Sequence, residues 1–140
     1  MIAELVDCDV YRLEAADPYP TGYDATVDRN SREQRDDARP GIADPLASIE
    51  QYDILLIGSP IWNVRTPMIM STFCDSHDFT GKTVHPFVTY AVSGLGPAQQ
   101  DYTAACPGGQ IEAGLAVQGE EVPDHRRDVQ AWLRATGLLT

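Results

Sequence analysis

Two stretches of the chain bring together residue types that could do chemistry. The first is Ser59-Pro60-Ile61-Trp62-Asn63-Val64-Arg65-Thr66, directly after the apolar run Ile54-Leu55-Leu56-Ile57-Gly58. The second is Thr89-Tyr90-Ala91-Val92-Ser93-Gly94-Leu95-Gly96, directly after the run Thr83-Val84-His85-Pro86-Phe87-Val88. Each carries one aromatic, Trp62 and Tyr90, among small residues that let backbone N–H groups approach a ligand. Such a pair suits a flat ring with polar edges: side chains stack on its faces and backbone groups bond its rim. The binding candidates are therefore Ser59, Pro60, Ile61, Trp62, Asn63 and Val64 from the first loop. Thr89, Tyr90, Ala91, Ser93, Gly94 and Gly96 come from the second.

Other chemistry is poorly supported. Gly58-Ser59-Pro60 is not the G-x-S-x-G of a nucleophile elbow, which speaks against a hydrolase. His77 between Asp75 and Asp78 invites a metal reading, but a solvated helix-end turn explains it as well. His85 in a strand reads as structural, and His125 as part of an exposed helix start. Ser93-Gly94-Leu95-Gly96 is not the G-x-G-x-x-G dinucleotide fingerprint and alone is a turn before a helix. Trp62 has a plain alternative as a hydrophobic plug over a sheet edge, and Tyr90 as an ordinary strand-end tyrosine.

The elements that must position these loops follow from the pattern. Residues 53–58 and 83–90 are near-continuous apolar runs, the mark of strands buried on both faces, although Pro86 interrupts the second. Helices are expected from Thr66-Pro67 to about Ser76 and over 97–105. A further strand is expected over 111–118. A last helix starts at Pro123, with Val129, Trp132, Leu133 and Thr136 on one face and Gly137 ending it. Upstream, residues 2–6 read as the last turns of a helix and 9–14 as a short strand. A long connection, 15–51, holds Pro18, Pro20, Pro40 and Pro45. Within it Asn30 and Glu33 suggest a capped polar helix over 31–38, Asp28 to Arg39 a solvated mobile segment, and Asp44-Pro45 a short helix start. Strands alternating with helices imply a parallel sheet covered on both faces, with ligands beyond the carboxyl ends of the strands.

The bulk numbers agree. A length of 140 residues is one domain, 1–140, with room for a core. A net charge of −11 argues against nucleic-acid partners, because phosphate contacts need clustered Lys and Arg, and suits docking on a basic partner or simple solubility. Neither a membrane span nor a signal peptide is evident, so no membrane partner and a cytoplasmic location are expected. Of the 3 cysteines, Cys8 and Cys74 read as core residues and Cys106, before Pro107-Gly108-Gly109, as more exposed. Their spacings match neither a zinc site nor a disulfide framework.

The segments "YDILLIGSPIW", "PMIMSTFCDSHDFTGKTVHPFVTY" and "SGLG" resemble the flavodoxin-like family, in the branch whose loop commonly reads G-[SF]-P-I-W-W. His77-Asp78-Phe79-Thr80-Gly81-Lys82 stands where that branch has a "YDFSGK" turn. The likeness runs from about residue 9 to the C-terminus. It implies an α/β, three-layer fold: an open parallel sheet of order 2-1-3-4-5 with helices on both faces. It also implies the cofactor FMN, with the two loops above holding the isoalloxazine ring. The implied function is electron transfer, with a redox partner protein or a small-molecule electron acceptor. An NAD(P)H-dependent quinone-type reductase is the enzymatic alternative.

The chain departs from the family pattern in several places. The family's first strand, and the Ser/Thr/Gly-rich loop that wraps the FMN phosphate, have no counterpart; the sequence starts within the helix that follows. A truncated N-terminus, with impaired FMN binding in the chain as given, is the expectation, and a fragment that binds no flavin is the third reading. Asn63 and Val64 replace the second tryptophan and a glycine of the loop, and Ala91-Val92 replaces a Gly-Gly. No side chain is assigned as catalytic.

Overall fold

The computed structural model describes residues 1–62, 65–90 and 94–139. In chain order the elements are α1 (Ile2–Leu5), β1 (Glu14–Ala15), α2 (Tyr23–Arg35), β2 (Ile42–Ala43), β3 (Ile54–Pro60) and α3 (Met68–Asp75). They continue with β4 (Thr83–Tyr90), α4 (Ala98–Ala105), β5 (Gln110–Ile111), β6 (Leu115–Gln118), a 3₁₀ helix (Gly119–His125) and α5 (Arg126–Ala135).

β3 and β4 are parallel and paired along seven positions, from Ile54↔Thr83 to Pro60↔Thr89. Alternation sends side chains to two covered faces. Leu55 and Ile57 of β3, with Val84 and Val88 of β4, meet Ile69, Phe73, Ala98 and Tyr102 from α3 and α4. Leu56 and Phe87 meet Val129, Trp132 and Leu133 of α5, with Ile2 and Leu5 of α1 beside them. This is the three-layer α/β arrangement that the apolar runs imply. Gly137 at φ 80° ends the helical C-terminus as expected, a conformation glycine adopts without strain.

The predicted strand over 111–118 is in fact two, and Pro86 is the reason. β5 joins β4 at Val84↔Ile111, whereas β6 resumes only at Phe87↔Leu115, so the last strand carries one extra residue. The Glu112 N–H donates to the Val84 carbonyl at 2.9 Å, and the next ladder bond would run from residue 86 to the Glu112 carbonyl. Proline has no N–H to give. The Gln99 side-chain amide on α4 donates there instead, at 2.6 Å. Gly114 sits so close to the Pro86 carbonyl that a Cβ would stand 2.8 Å from it.

Five expectations are corrected. Strand 9–14 shrinks to Glu14–Ala15, antiparallel to Ile42–Ala43 in a separate two-stranded sheet. Among the described residues no strand pairs with the outer edge of β3, so Tyr11 and Leu13 contribute side chains to the core without a ladder. The polar helix starts at Tyr23 rather than 31, so Asn30 lies inside it, buried, and caps nothing. The segment Asp28 to Arg39 is accordingly ordered: Arg29 bonds the Pro18 carbonyl and pairs with Glu33. No helix follows Asp44, whose φ of 47° is not the extended N-cap geometry. Finally, Cys8 is exposed, whereas Cys106 is buried with Cys74.

Candidate functional site

β3 and β4 run in register to their carboxyl ends, Pro60↔Thr89, and the ladder continues one residue further, with the Ile61 N–H donating to the Thr89 carbonyl at 2.9 Å. The two candidate loops therefore leave the same sheet edge as neighbours, one strand spacing of about 4.8 Å apart. Beyond Ile61, Trp62 and Arg65 exchange both backbone hydrogen bonds, at 2.8 and 3.1 Å. That pins the indole's backbone at the edge.

The candidate residues divide by direction. Ser59 points down into the protein: it is buried, and its Oγ shares a 3.0 Å hydrogen bond with the Tyr102 hydroxyl of α4. Burial pushes the Tyr102 phenol well above the ordinary tyrosine range, so it stays protonated. Ile61 packs on the core. Pro60, Trp62 and Tyr90 are half-buried, and Thr89 is exposed at the strand end. Gly94 and Gly96 take φ of 64° and 55°, and a Cβ at Gly94 would meet nothing within 4 Å, so the backbone there is open. Asn63, Val64, Ala91 and Ser93 lie outside the described residues.

The structure adds a participant that sequence reading missed. Tyr19, from the long connection, packs edge-on to Trp62 with ring centroids 5.1 Å apart. Its hydroxyl donates to Glu33 Oε1 at 2.6 Å, and the Arg29 guanidinium lies 3.9 Å over the centre of its ring. Burial, then the Glu33 carboxylate, hold the Tyr19 phenol protonated. Gln34 of α2 donates to the Trp62 carbonyl at 3.0 Å. Helix α2 thus braces the first loop from outside. The sequence signal was a tyrosine fixed between Pro18 and Pro20, which has no periodicity to betray a partner.

Neither of two cavities is lined by Trp62 or Tyr90, although the first touches the candidate loop at Arg65 and Thr66. One, of about 340 Å³, opens between α3 and α4 beside Arg65, Thr66, Cys74 and Tyr102. The other, of about 370 Å³, is lined by His85, Glu112 and Trp132. His85 is buried, which lowers its pKa, and its ring stands edge-on to Trp132 at 6.3 Å. His77 rests on Phe73 at 4.8 Å.

The family model described as flavodoxin matches residues 1–136, nearly the whole chain. The chain belongs to the flavodoxin family. Among solved structures, this flavodoxin-family chain is similar to a candidate flavoprotein from Bacteroides uniformis, with 33% identity and a TM-score of 0.82. That match covers 95% of this chain and 85% of the other. A candidate flavoprotein from Bacteroides eggerthii has 28% identity and a TM-score of 0.80, over 96% and 84% of the two chains. A flavoprotein in complex with FMN from Lactobacillus acidophilus shares the fold at 18% identity and a TM-score of 0.61, over 80% and 76%. No curated protein matches the sequence. In this flavodoxin-family chain, the open backbone at Gly94 and the half-buried aromatics Trp62 and Tyr90 are features that fit a flat heteroaromatic ring. Among the described residues, no helix is long and apolar enough to cross a membrane.

Proposed function

We propose that the chain binds FMN by its isoalloxazine ring at the β3 and β4 loops and carries electrons between redox partners. The observation that carries this reading is the ladder running through Ile61 and Thr89, which makes the two aromatic-bearing loops neighbours on one edge. A bound flavin supplies the redox chemistry, and the protein supplies position and electrostatics. Trp62 and Tyr90 offer stacking surface, and the glycine turn at Gly94 and Gly96 offers N–H donors for the ring's polar rim. Ser59 and Tyr102 satisfy each other beneath the loop, so these two hydroxyls are turned to one another rather than to a ligand. No side chain acts as acid, base or nucleophile. The net charge of −11 favours a basic partner, with docking that weakens as salt rises.

Every contact in this reading is to the ring, so riboflavin and FMN are expected to bind within about tenfold of each other. Calorimetric titration with both flavins tests this: 1:1 binding of each is expected, weakened about tenfold by Trp62→Ala through lost stacking. Absence of binding by both flavins at millimolar concentration overturns it. Mixing the reduced, loaded protein with a basic haem protein tests the carrier role, and NADPH-driven quinone turnover by the same sample would replace the carrier with a reductase.

A further inference from the structure

We propose that Cys74 and Cys106 form a reversible disulfide when a small peroxide reaches them through the cavity between α3 and α4. Cys74 lies in the last turn of α3, and Cys106 is the residue that ends α4. Their sulfurs are 3.4 Å apart across 32 positions of sequence. Both are free thiols, 2% and 1% exposed. Two buried thiols facing each other usually need no explanation beyond packing. Here one of them, Cys74, also lines the 340 Å³ cavity, so the pair is sealed from bulk solvent on all sides but one. Cys74 is thus the sulfur an entering oxidant meets, with Cys106 behind it.

Bond formation asks for little movement. The sulfurs must close from 3.4 Å to about 2.05 Å, a shift of roughly 1.4 Å. Cys106 is outside the regular helix, at φ −119° and ψ 64°, and is followed by Pro107-Gly108-Gly109, with Gly108 at φ 82°. That turn can take up the adjustment while α3 stays in place.

The chemistry balances with peroxide as the named oxidant. The Cys74 sulfur attacks one peroxide oxygen, the O–O bond breaks, and Cys74 sulfenic acid and one water result. The Cys106 sulfur then attacks the Cys74 sulfur, the S–O bond breaks, and a second water leaves. Two thiols lose two electrons and two protons, and one peroxide becomes two waters. A dithiol reductant reverses the change by exchange. The contact with Cys106, and then burial, hold the Cys74 thiol protonated, which makes the first step slow. A cavity of this size admits hydrogen peroxide far more readily than a bulky peptide disulfide.

The tryptic map makes the product readable, because Cys8, Cys74 and Cys106 fall in three different peptides, 1–12, 66–82 and 83–126. Purified chain is treated with hydrogen peroxide, blocked with an alkylating agent in urea, digested without reductant and analysed by mass spectrometry. Expected is a 66–82/83–126 linked pair that dithiothreitol removes, with Tm raised by about 5–10 °C in the oxidised form. A Cys8→Ser variant keeps both effects, and Cys74→Ser and Cys106→Ser each lose them. Full alkylation of Cys74 and Cys106 after oxidation overturns the proposal. So does equal linkage when peroxide is added in urea, because the fold would then not be what pairs them. Both readouts use the unmutated chain, so poor folding of a variant leaves the result decisive.

Discussion

Gly58→Ala is a one-carbon perturbation whose effect can be worked through from the packing. Gly58 sits in β3 directly opposite Phe87 of β4. An added Cβ would lie 2.2 Å from Phe87 Cζ and 2.3 Å from Cε2, inside any tolerable contact. To restore a carbon–carbon distance of about 3.5 Å the ring must retreat roughly 1.3 Å. Its retreat is opposed by neighbours: Phe87 packs with Trp132 at 6.0 Å between centroids, and Leu56 and Leu115 share that cluster. Overpacking of this kind costs about 1–3 kcal/mol. Against it stands a gain of about 0.4–1 kcal/mol, because alanine restricts the unfolded chain more than glycine does. The net expectation is a loss of about 1–2 kcal/mol in urea denaturation, with an unchanged m-value. The decisive assay is the double-mutant cycle with Phe87→Leu, which alone costs about 1–2 kcal/mol. In that background the alanine should cost less than about 0.5 kcal/mol, a coupling of about 1 kcal/mol or more. If Gly58→Ala is neutral, or its penalty persists without the Phe87 ring, the clash is not what fixes glycine at this position.

Three further outcomes follow from the same contacts. Gln99→Ala removes the donor that reaches the Glu112 carbonyl and should destabilise by about 1–2 kcal/mol in chemical denaturation, against near-neutral values for exposed helix positions. Tyr102→Phe leaves the buried Ser59 hydroxyl without its partner and should cost about 1–2 kcal/mol, most of it recovered in the Ser59→Ala/Tyr102→Phe pair. The histidines should separate in a proton NMR titration: His85 is lowered from 6.5 by burial, and His125 is raised from 6.5 by its hydrogen bonds to Asp128 and then Glu121. His85 therefore contributes stability above its unfolded pKa that is lost as pH falls through its folded value, and His125 contributes stability below 6.5 that is lost as pH rises through its folded value. His85→Phe should flatten the acid side of the Tm–pH curve, and His125→Gln the neutral side.

The parts of the fold legible in the sequence were those whose signal is local. Ile54 to Gly58 and Thr83 to Tyr90 are apolar enough to be strands whatever surrounds them, and Gly137 ends a helix by its own backbone freedom. What stayed hidden depended on partners. Pro86 could be seen as a flaw in β4, but its effect falls on a different strand, across a ladder bond to Glu112, and needs the register to be known. The start of α2 at Tyr23 was illegible because a polar helix with no apolar stripe is held by tertiary contacts, here Arg29 to Pro18 and Gln34 to Trp62. Cys106 read as exposed because Pro107-Gly108-Gly109 follows it, yet that turn folds back, with the Gly109 N–H on the Cys106 carbonyl at 3.0 Å, and leaves the sulfur inside. At the candidate site, the two strand ends that carry Trp62 and Tyr90 were legible as neighbours, and the brace by Tyr19 was not.

The interruption opposite Pro86 also has a dynamic consequence. A continuous strand moves as one piece, whereas β5 holds β4 through two residues and β6 through four. Local opening of β5 should therefore cost little free energy and occur often, while β6 opens only with the sheet as a whole, and amide exchange should separate the two. β5 adjoins the turn that carries Cys106; β6 ends opposite Tyr90. The missing N–H thus divides the last strand into two pieces that can open separately, while β4 stays continuous from Thr83 to Tyr90.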